Sequence, residues 1–167
     1  MDRRPTPAEW QTWLDDHASK FLLFARQKAR SEADAQDLMQ EAIIEAAKRN
    51  GWNGPPPAAL VFATIHRRAI DWARRTDRRT ARESDAVEPQ LCPWFDTNVE
   101  DRERAALIQE AIEKLPHIYR EVIALKVWGG LTFAEIADSL AISPNTAASR
   151  YRYALEELRK LTKEVFT

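Results

Sequence analysis

Helical periodicity runs along most of this chain and stops for one stretch, residues 80–104. That stretch, TARESDAVEPQLCPWFDTNVEDRER, holds two prolines, 3 Lys and Arg against 7 Asp and Glu, and no helical spacing of apolar residues through its middle. Such a segment has too little apolar surface to offset its own ordering entropy, so it reads as a linker rather than a core element. It therefore divides the 167 residues into two blocks. Blocks of about 60–80 residues support one small core each, and helices are the elements that fill a core that small with few turns. The expected architecture is all-α: one small domain over 1–79, a flexible acidic linker over 80–104, and a second small domain over 105–167.

The blocks differ in charge. Residues 1–79 carry 14 Lys and Arg against 11 Asp and Glu, residues 105–167 carry 8 of each, and the whole chain has a net charge of -1. Taken alone, that total weighs against nucleic acid, which usually selects a basic surface. Hydrophobic residues at 44% and charged residues at 31% suit a folded chain. No run approaches the ~18 apolar residues of a membrane span. The start, MDRRPTPAEW, has charge but no apolar stretch behind it, unlike a secretory leader. Cys92 is the one cysteine, so no internal disulfide is possible, and a free linker thiol in a reducing cytoplasm is expected. Four glycines are few for a turn-rich β fold.

Within the first block three helices are expected. One begins after Pro7 and aligns Trp10, Trp13, Leu14, Phe21 and Phe24. Another begins at Ser31, with Asp34 three residues on as in a capping box, and runs to Arg49 with Leu38, Ala42, Ile43 and Ala46 inward. Glycines and prolines over residues 50–57 interrupt the chain. The third covers 58–78, with Leu60, Phe62, Ile65, Ala69, Ile70 and Ala73 inward and the arginines largely outward. Six arginines against two aspartates between Ala59 and Arg79 leave this helix at +4.

In the second block a helix over 102–115 stops at Pro116, and another over 118–128 ends at Gly129-Gly130. Thr132 and Glu135 then form T-x-x-E, a capping box opening a short helix to about Leu140. Ser143 caps the next helix, with Pro144 at its first position, where a missing N–H costs nothing. Two helices joined by about three residues make a helix-turn-helix. Phe133, Ile136, Ala137, Leu140 and Ile142 would pack the pair. Asn145, Ser149, Arg150, Arg152 and Tyr153 can reach phosphates or base edges if the second helix enters a major groove. A plain helical hairpin with a solvated polar face satisfies the same spacing.

The stretch LPHIYREVIALKVWGGLTFAEIADSLAISPNTAASRYRYALEELRK, residues 115–160, resembles domain four of sigma-70 family factors, in particular the small extracytoplasmic-function group. DAQDLMQE, residues 34–41, is similar to that family's polymerase-binding helix, and HRRAIDWARR, residues 66–75, to its -10 melting and recognition segment. The resemblance implies an alternative sigma factor. It implies core RNA polymerase contacts at Asp37, Leu38, Gln40 and Glu41. It implies capture of the opened -10 strand by His66, Arg67, Arg68, Asp71, Trp72, Arg74 and Arg75, with Trp72 equally readable as a core residue. It implies -35 contacts at Thr132, Asn145, Thr146, Ala148, Ser149, Arg150, Arg152 and Tyr153.

Three departures bear on this. The family's usual Trp near Leu60 and Asn near Arg67 are missing, and Ala148 stands where a basic residue is common. Arg150, Arg152 and Tyr153 are therefore expected to carry more of the -35 contact. The resemblance further implies core RNA polymerase, promoter DNA and an anti-sigma factor as partners, a monomer when free, and a cytoplasmic protein that an anti-sigma factor can hold at the inner membrane. The acidic linker would thread through polymerase, its charge imitating nucleic acid.

No G-x-x-x-x-G-K-[ST], G-x-G-x-x-G or H-E-x-x-H motif is present, and His17, His66 and His117 are scattered. No enzyme, cofactor, metal or small-molecule substrate is expected, nor a regulatory domain after Thr167. Two other classes compete. A dimerising operator-binding regulator would not need DAQDLMQE ahead of an arginine helix. A module that only titrates an anti-sigma factor would not need the arginines.

Overall fold

The computed structural model describes residues 4–80 and 102–166. Every element among them is helical: α1 (Pro7–Lys28), α2 (Glu32–Arg49), α3 (Ala58–Thr80), α4 (Arg102–Glu113), α5 (His117–Ile123) running into a π-helical turn over Ala124–Trp128, α6 (Phe133–Leu140) and α7 (Pro144–Phe166). The chain divides into two compact units, Met1–Leu91 and Cys92–Thr167. Of the stretch expected as linker, Thr80 closes α3 and Arg102 to Arg104 open α4. The rest of it, with Cys92, lies outside the described residues.

In the first unit, α1 starts at a full capping box. The Thr6 N–H donates to Glu9 Oε2 at 2.9 Å, and the Glu9 N–H donates to Thr6 Oγ1 at 3.3 Å. Ser31 Oγ accepts the Asp34 N–H at 3.1 Å at the start of α2. The buried side of α2 is mostly alanine: Ala35, Ala42, Ala46 and Ala47 flank Leu38, all at 0 or 1% exposure. That small-residue face packs against α1 and α3 with little bulk of its own, and aromatic bulk comes from elsewhere. Phe62 of α3 meets Phe21 and Phe24 of α1 edge-on, with ring centroids 5.0 and 5.5 Å apart. Each such fully buried side chain contributes about 1.5–3 kcal/mol.

The α2–α3 turn is a Schellman close. Gly51 adopts φ +67, its N–H reaches Lys48 O, and the Trp52 N–H reaches Ala47 O, both at 3.0 Å. Trp52 itself is held at φ +58, its ring against Trp10.

Along α3 the buried line is Val61, Phe62, Ile65 and Ala69. Two residues expected inward are not there: Ile70 is 41% exposed and Ala73 is exposed. At about 100° per residue, Trp72 lies nearly in line with Ile65, whereas Ile70 falls well off that line. Trp72, half-buried, continues the packed stripe instead.

In the second unit, Leu115, Ile123 and Ala154 form a buried cluster wrapped by Tyr119, Trp128, Tyr151, Leu155, Leu158 and Leu161. The helix expected over 118–128 is regular only to Ile123. From Ala124 it widens, and the Gly129 N–H bonds to Ala124 O, five residues back, at 2.9 Å. A Cβ on Gly129 would stand 2.6 Å from Leu125 O, so only glycine allows this close approach. Lys126 fixes the widened turn to α6: its Nζ donates to Leu131 O at 3.2 Å and sits 4.6 Å from the Phe133 ring centre.

Candidate nucleic-acid interface

The helix-turn-helix is built as its caps require. The Thr132 N–H donates to Glu135 Oε1 at 3.1 Å, and the Glu135 N–H donates to Thr132 Oγ1 at 3.2 Å. Ala141 ends α6 in the left-handed region at φ +56. The Thr146 N–H then donates to Ser143 Oγ at 3.1 Å, opening α7. Ile136, Ala137 and Leu140 of α6 are buried, as are Ala147 and Ala154 of α7, which fixes the face that α7 turns outward.

Counting about 100° per residue from Ala147, that outer face carries Asn145, Ser149 and Arg152, with Tyr153 and Thr146 to one side and Ala148 to the other. Asn145, Arg152 and Tyr153 are exposed, and Thr146, Ala148 and Ser149 are half-buried. The Arg152 guanidinium sits 5.2 Å from the Tyr153 ring centre, which orders a cation at the surface without neutralising it. Arg150 lies nearer the packed side and is half-buried. Glu156, exposed one turn past Arg152, puts a negative charge where the outer face ends. Thr132 is exposed at the α6 N-terminus, where N–H groups favour an anion.

The first unit holds the other expected residues. On α2, Asp37, Gln40 and Glu41 are exposed on adjoining turns. Leu38 is 0% exposed, so its expected place on a partner-binding surface is corrected: the side chain packs the core and orients the three polar residues around it. On α3, Asp71, Arg74 and Arg75 are exposed, while His66, Arg67, Arg68 and Trp72 are half-buried. Glu45, Arg67, Arg68, Asp71, Trp72 and Arg75 line an open hollow of about 270 Å³. Trp72 therefore belongs to both readings: it extends the packed stripe and forms one wall of this hollow.

One residue that sequence reasoning missed organises the site. Glu45 of α2 accepts from Arg67 NH2 at 2.5 Å through Oε1 and from Arg68 Nε at 2.6 Å through Oε2. Arg49 lies 3.3 Å from the same carboxylate, and Arg68 NH1 donates to Glu41 at 2.8 Å. Partial burial works to raise the pKa of Glu45, but the Arg68 hydrogen bond and the charges of Arg67, Arg68 and Arg49 outweigh it and hold the carboxyl below its ordinary range. The one local signal was Glu41, Glu45 and Arg49 at spacings of four along one helix face. Their partners are more than twenty residues away and carry no local signature.

Among the described residues, no group of three or more His, Cys, Asp or Glu could hold a metal, and no helix is long and apolar enough to cross a membrane.

Residues 13–79 match the family described as Sigma-70 region 2, and residues 105–158 match Sigma-70, region 4. The chain is 33% identical over 138 residues to the ECF RNA polymerase sigma factor SigK of Mycobacterium ulcerans, covering 80% of this chain and 73% of that one. It is 27% identical over 165 residues to the RNA polymerase sigma factor SigV of Bacillus subtilis, covering 97% and 96%. The fold is shared with the sigma factor RpoE of Bartonella quintana, solved in complex with the anti-sigma factor NepR, at a TM-score of 0.69 and 19% identity over 92% of this chain and 96% of that one. Both halves of the chain, in the same order, lead to one conclusion: it belongs to the extracytoplasmic-function group of the sigma-70 family of RNA polymerase sigma factors.

Proposed function

We propose the following division of labour for this sigma factor, which directs RNA polymerase to specific promoters and initiates transcription there. Asp37, Gln40 and Glu41 bind a basic surface of core RNA polymerase, where opposite charge sets register and speeds encounter. The α3 surface with Arg67, Arg68, Trp72, Arg74 and Arg75 takes the opened -10 strand, arginines to phosphates and the indole to a base. His66 and Asp71 border it. The outer face of α7, led by Asn145, Ser149, Arg152 and Tyr153, reads the -35 groove, with Thr132, Thr146, Ala148 and Arg150 at its margins. The domains of this division are 1–79 and 105–167, with 80–104 between them.

The observation that carries the reading is the coexistence, in one chain, of an exposed acid-and-amide face on α2 and an outward polar face on a capped helix-turn-helix, inside the two matched family regions in family order. We place its work in the cytoplasm, as a monomer when free, held in check by an anti-sigma factor. The similarity to a sigma factor solved with such a partner supports that last assignment.

Asp37→Ala with Gln40→Ala tests the polymerase face. The double variant should lose core binding at least tenfold, measured by titration of labelled protein with core enzyme, while its melting temperature stays near wild type. Leu38→Ala should do the reverse in stability, costing about 2–5 kcal/mol through the cavity it leaves. Wild-type core affinity in the double variant would remove the assignment.

A further inference from the structure

The α2–α3 ion pairs join two surfaces that the proposed function keeps apart. Glu41 is exposed on the face proposed for polymerase, yet its carboxylate accepts from Arg68 NH1 at 2.8 Å. Glu45 lies one helical turn further along α2 and accepts from both Arg67 and Arg68. Arg67 NH2, Arg68 Nε and Arg68 NH1 are among the guanidinium donors that a phosphate oxygen would accept from. All three are turned toward protein carboxylates. The cluster of Arg49, Arg67 and Arg68 with Glu41 and Glu45 carries a formal charge of only +1. The Glu45 side chain is 24% exposed, so solvent screens this contact less than a fully exposed pair.

We propose that Glu45 and Glu41 mask Arg67 and Arg68 in the free chain, so that a nucleic-acid phosphate must displace these carboxylates to gain the donors they occupy. Glu41 makes the mask responsive: a partner that takes up its carboxylate frees Arg68 NH1 without touching α3. Core RNA polymerase is that partner, and here the inference rests on the functional reading of α2. Glu45 is a positioning residue in this scheme, acting through the arginines rather than on the strand.

The test measures binding of a fluorescent oligothymidine strand to the full-length chain by anisotropy across a salt series. Glu45→Gln should tighten binding roughly tenfold. It should also steepen the dependence of log affinity on log salt by about 0.7–1.4, one to two more phosphate contacts on a single strand. Glu45→Asp, which keeps the charge, should stay near wild type. Exposed Glu41→Gln, which does not threaten the fold, should move both quantities in the same direction by less. Adding Arg67→Ala and Arg68→Ala to Glu45→Gln should abolish the gain.

Unchanged or weaker binding and an unchanged slope in both glutamine variants would overturn the masking. If wild type still initiates from specific promoters with core enzyme while the glutamine variants bind like wild type, masking alone fails. If masking is seen but wild type fails to initiate, the functional reading fails and the mask stands as a property of the fold. A gain with Glu45→Gln and none with Glu41→Gln would overturn the responsive half.

Discussion

Arg152 and Arg150 show how far a residue's role depends on which side of a helix it occupies. Both were expected at the -35 element, but α7 turns Arg152 fully outward beside Tyr153 and leaves Arg150 half-buried toward the packed side. Arg152→Ala should therefore reduce promoter affinity more than Arg150→Ala. If its contact is to phosphate, the loss will be similar across promoter sequences and the salt slope shallower by about 0.9. A filter-binding salt series with the assembled holoenzyme checks this, and equal effects from both variants would relocate the reading face.

His17 makes a second residue-scale prediction. It sits between Trp13 and Phe21, with ring centroids 5.6 and 5.7 Å away. Burial first, and the charge of Lys20 second, lower its pKa against the opposing pull of Asp16. The fold therefore prefers the neutral ring, and the unfolded chain binds more protons below its ordinary pKa of about 6.5. Its contribution is complete above that value and is lost as pH falls through the lower folded value. Thermal melts from pH 8 to pH 5 should show wild type losing more stability than His17→Gln; parallel losses would contradict this.

At the scale of elements, the starts of helices were legible and their finer course was not. Caps are local chemistry: Ser31, Thr132 and Ser143 each accept the N–H three residues on, as their spacing implied. Thr6 with Glu9 is the same device, and its spacing too is readable in the sequence, just ahead of Pro7. The widened turn over Ala124–Trp128 was not legible, because apolar spacing looks alike in α and π turns over five residues. What permits it is a backbone approach at Gly129 that only coordinates reveal. Ile70 lies well off the packed line of Ile65 in helical phase, which Trp72 fits; Ala73 is in phase with Phe62 and Ala69 and is exposed all the same.

The turn of the helix-turn-helix offers an element-scale test. Ala141 has φ +56, where a Cβ costs roughly 1–2 kcal/mol that glycine escapes, less glycine's entropy in the unfolded chain. Ala141→Gly should raise stability by about 0.5–1 kcal/mol in denaturant titration and leave promoter choice alone. Destabilisation would mean that the turn is not held in this conformation in solution.

For the whole molecule, the net charge of -1 conceals how charge is placed. A helix at +4 in sequence is less basic in the fold, because α2 carboxylates hold Arg67 and Arg68. The division into two helical units and the capped helix-turn-helix were legible, since both follow from local pattern. The cross-helix pairing through Glu45 was not, since it depends on which helices come together. A chain so arranged should have little electrostatic pull on duplex DNA by itself, with polymerase expected to supply much of the affinity.

Transcription reconstituted with core RNA polymerase, with start sites mapped at single-nucleotide resolution, tests the central claim most directly. With this chain added, transcripts should begin at a defined set of positions, each preceded by a shared pair of upstream elements at a fixed spacing. Arg152→Ala should reduce starts from that set. Start sites no different from those of core enzyme alone would contradict the account.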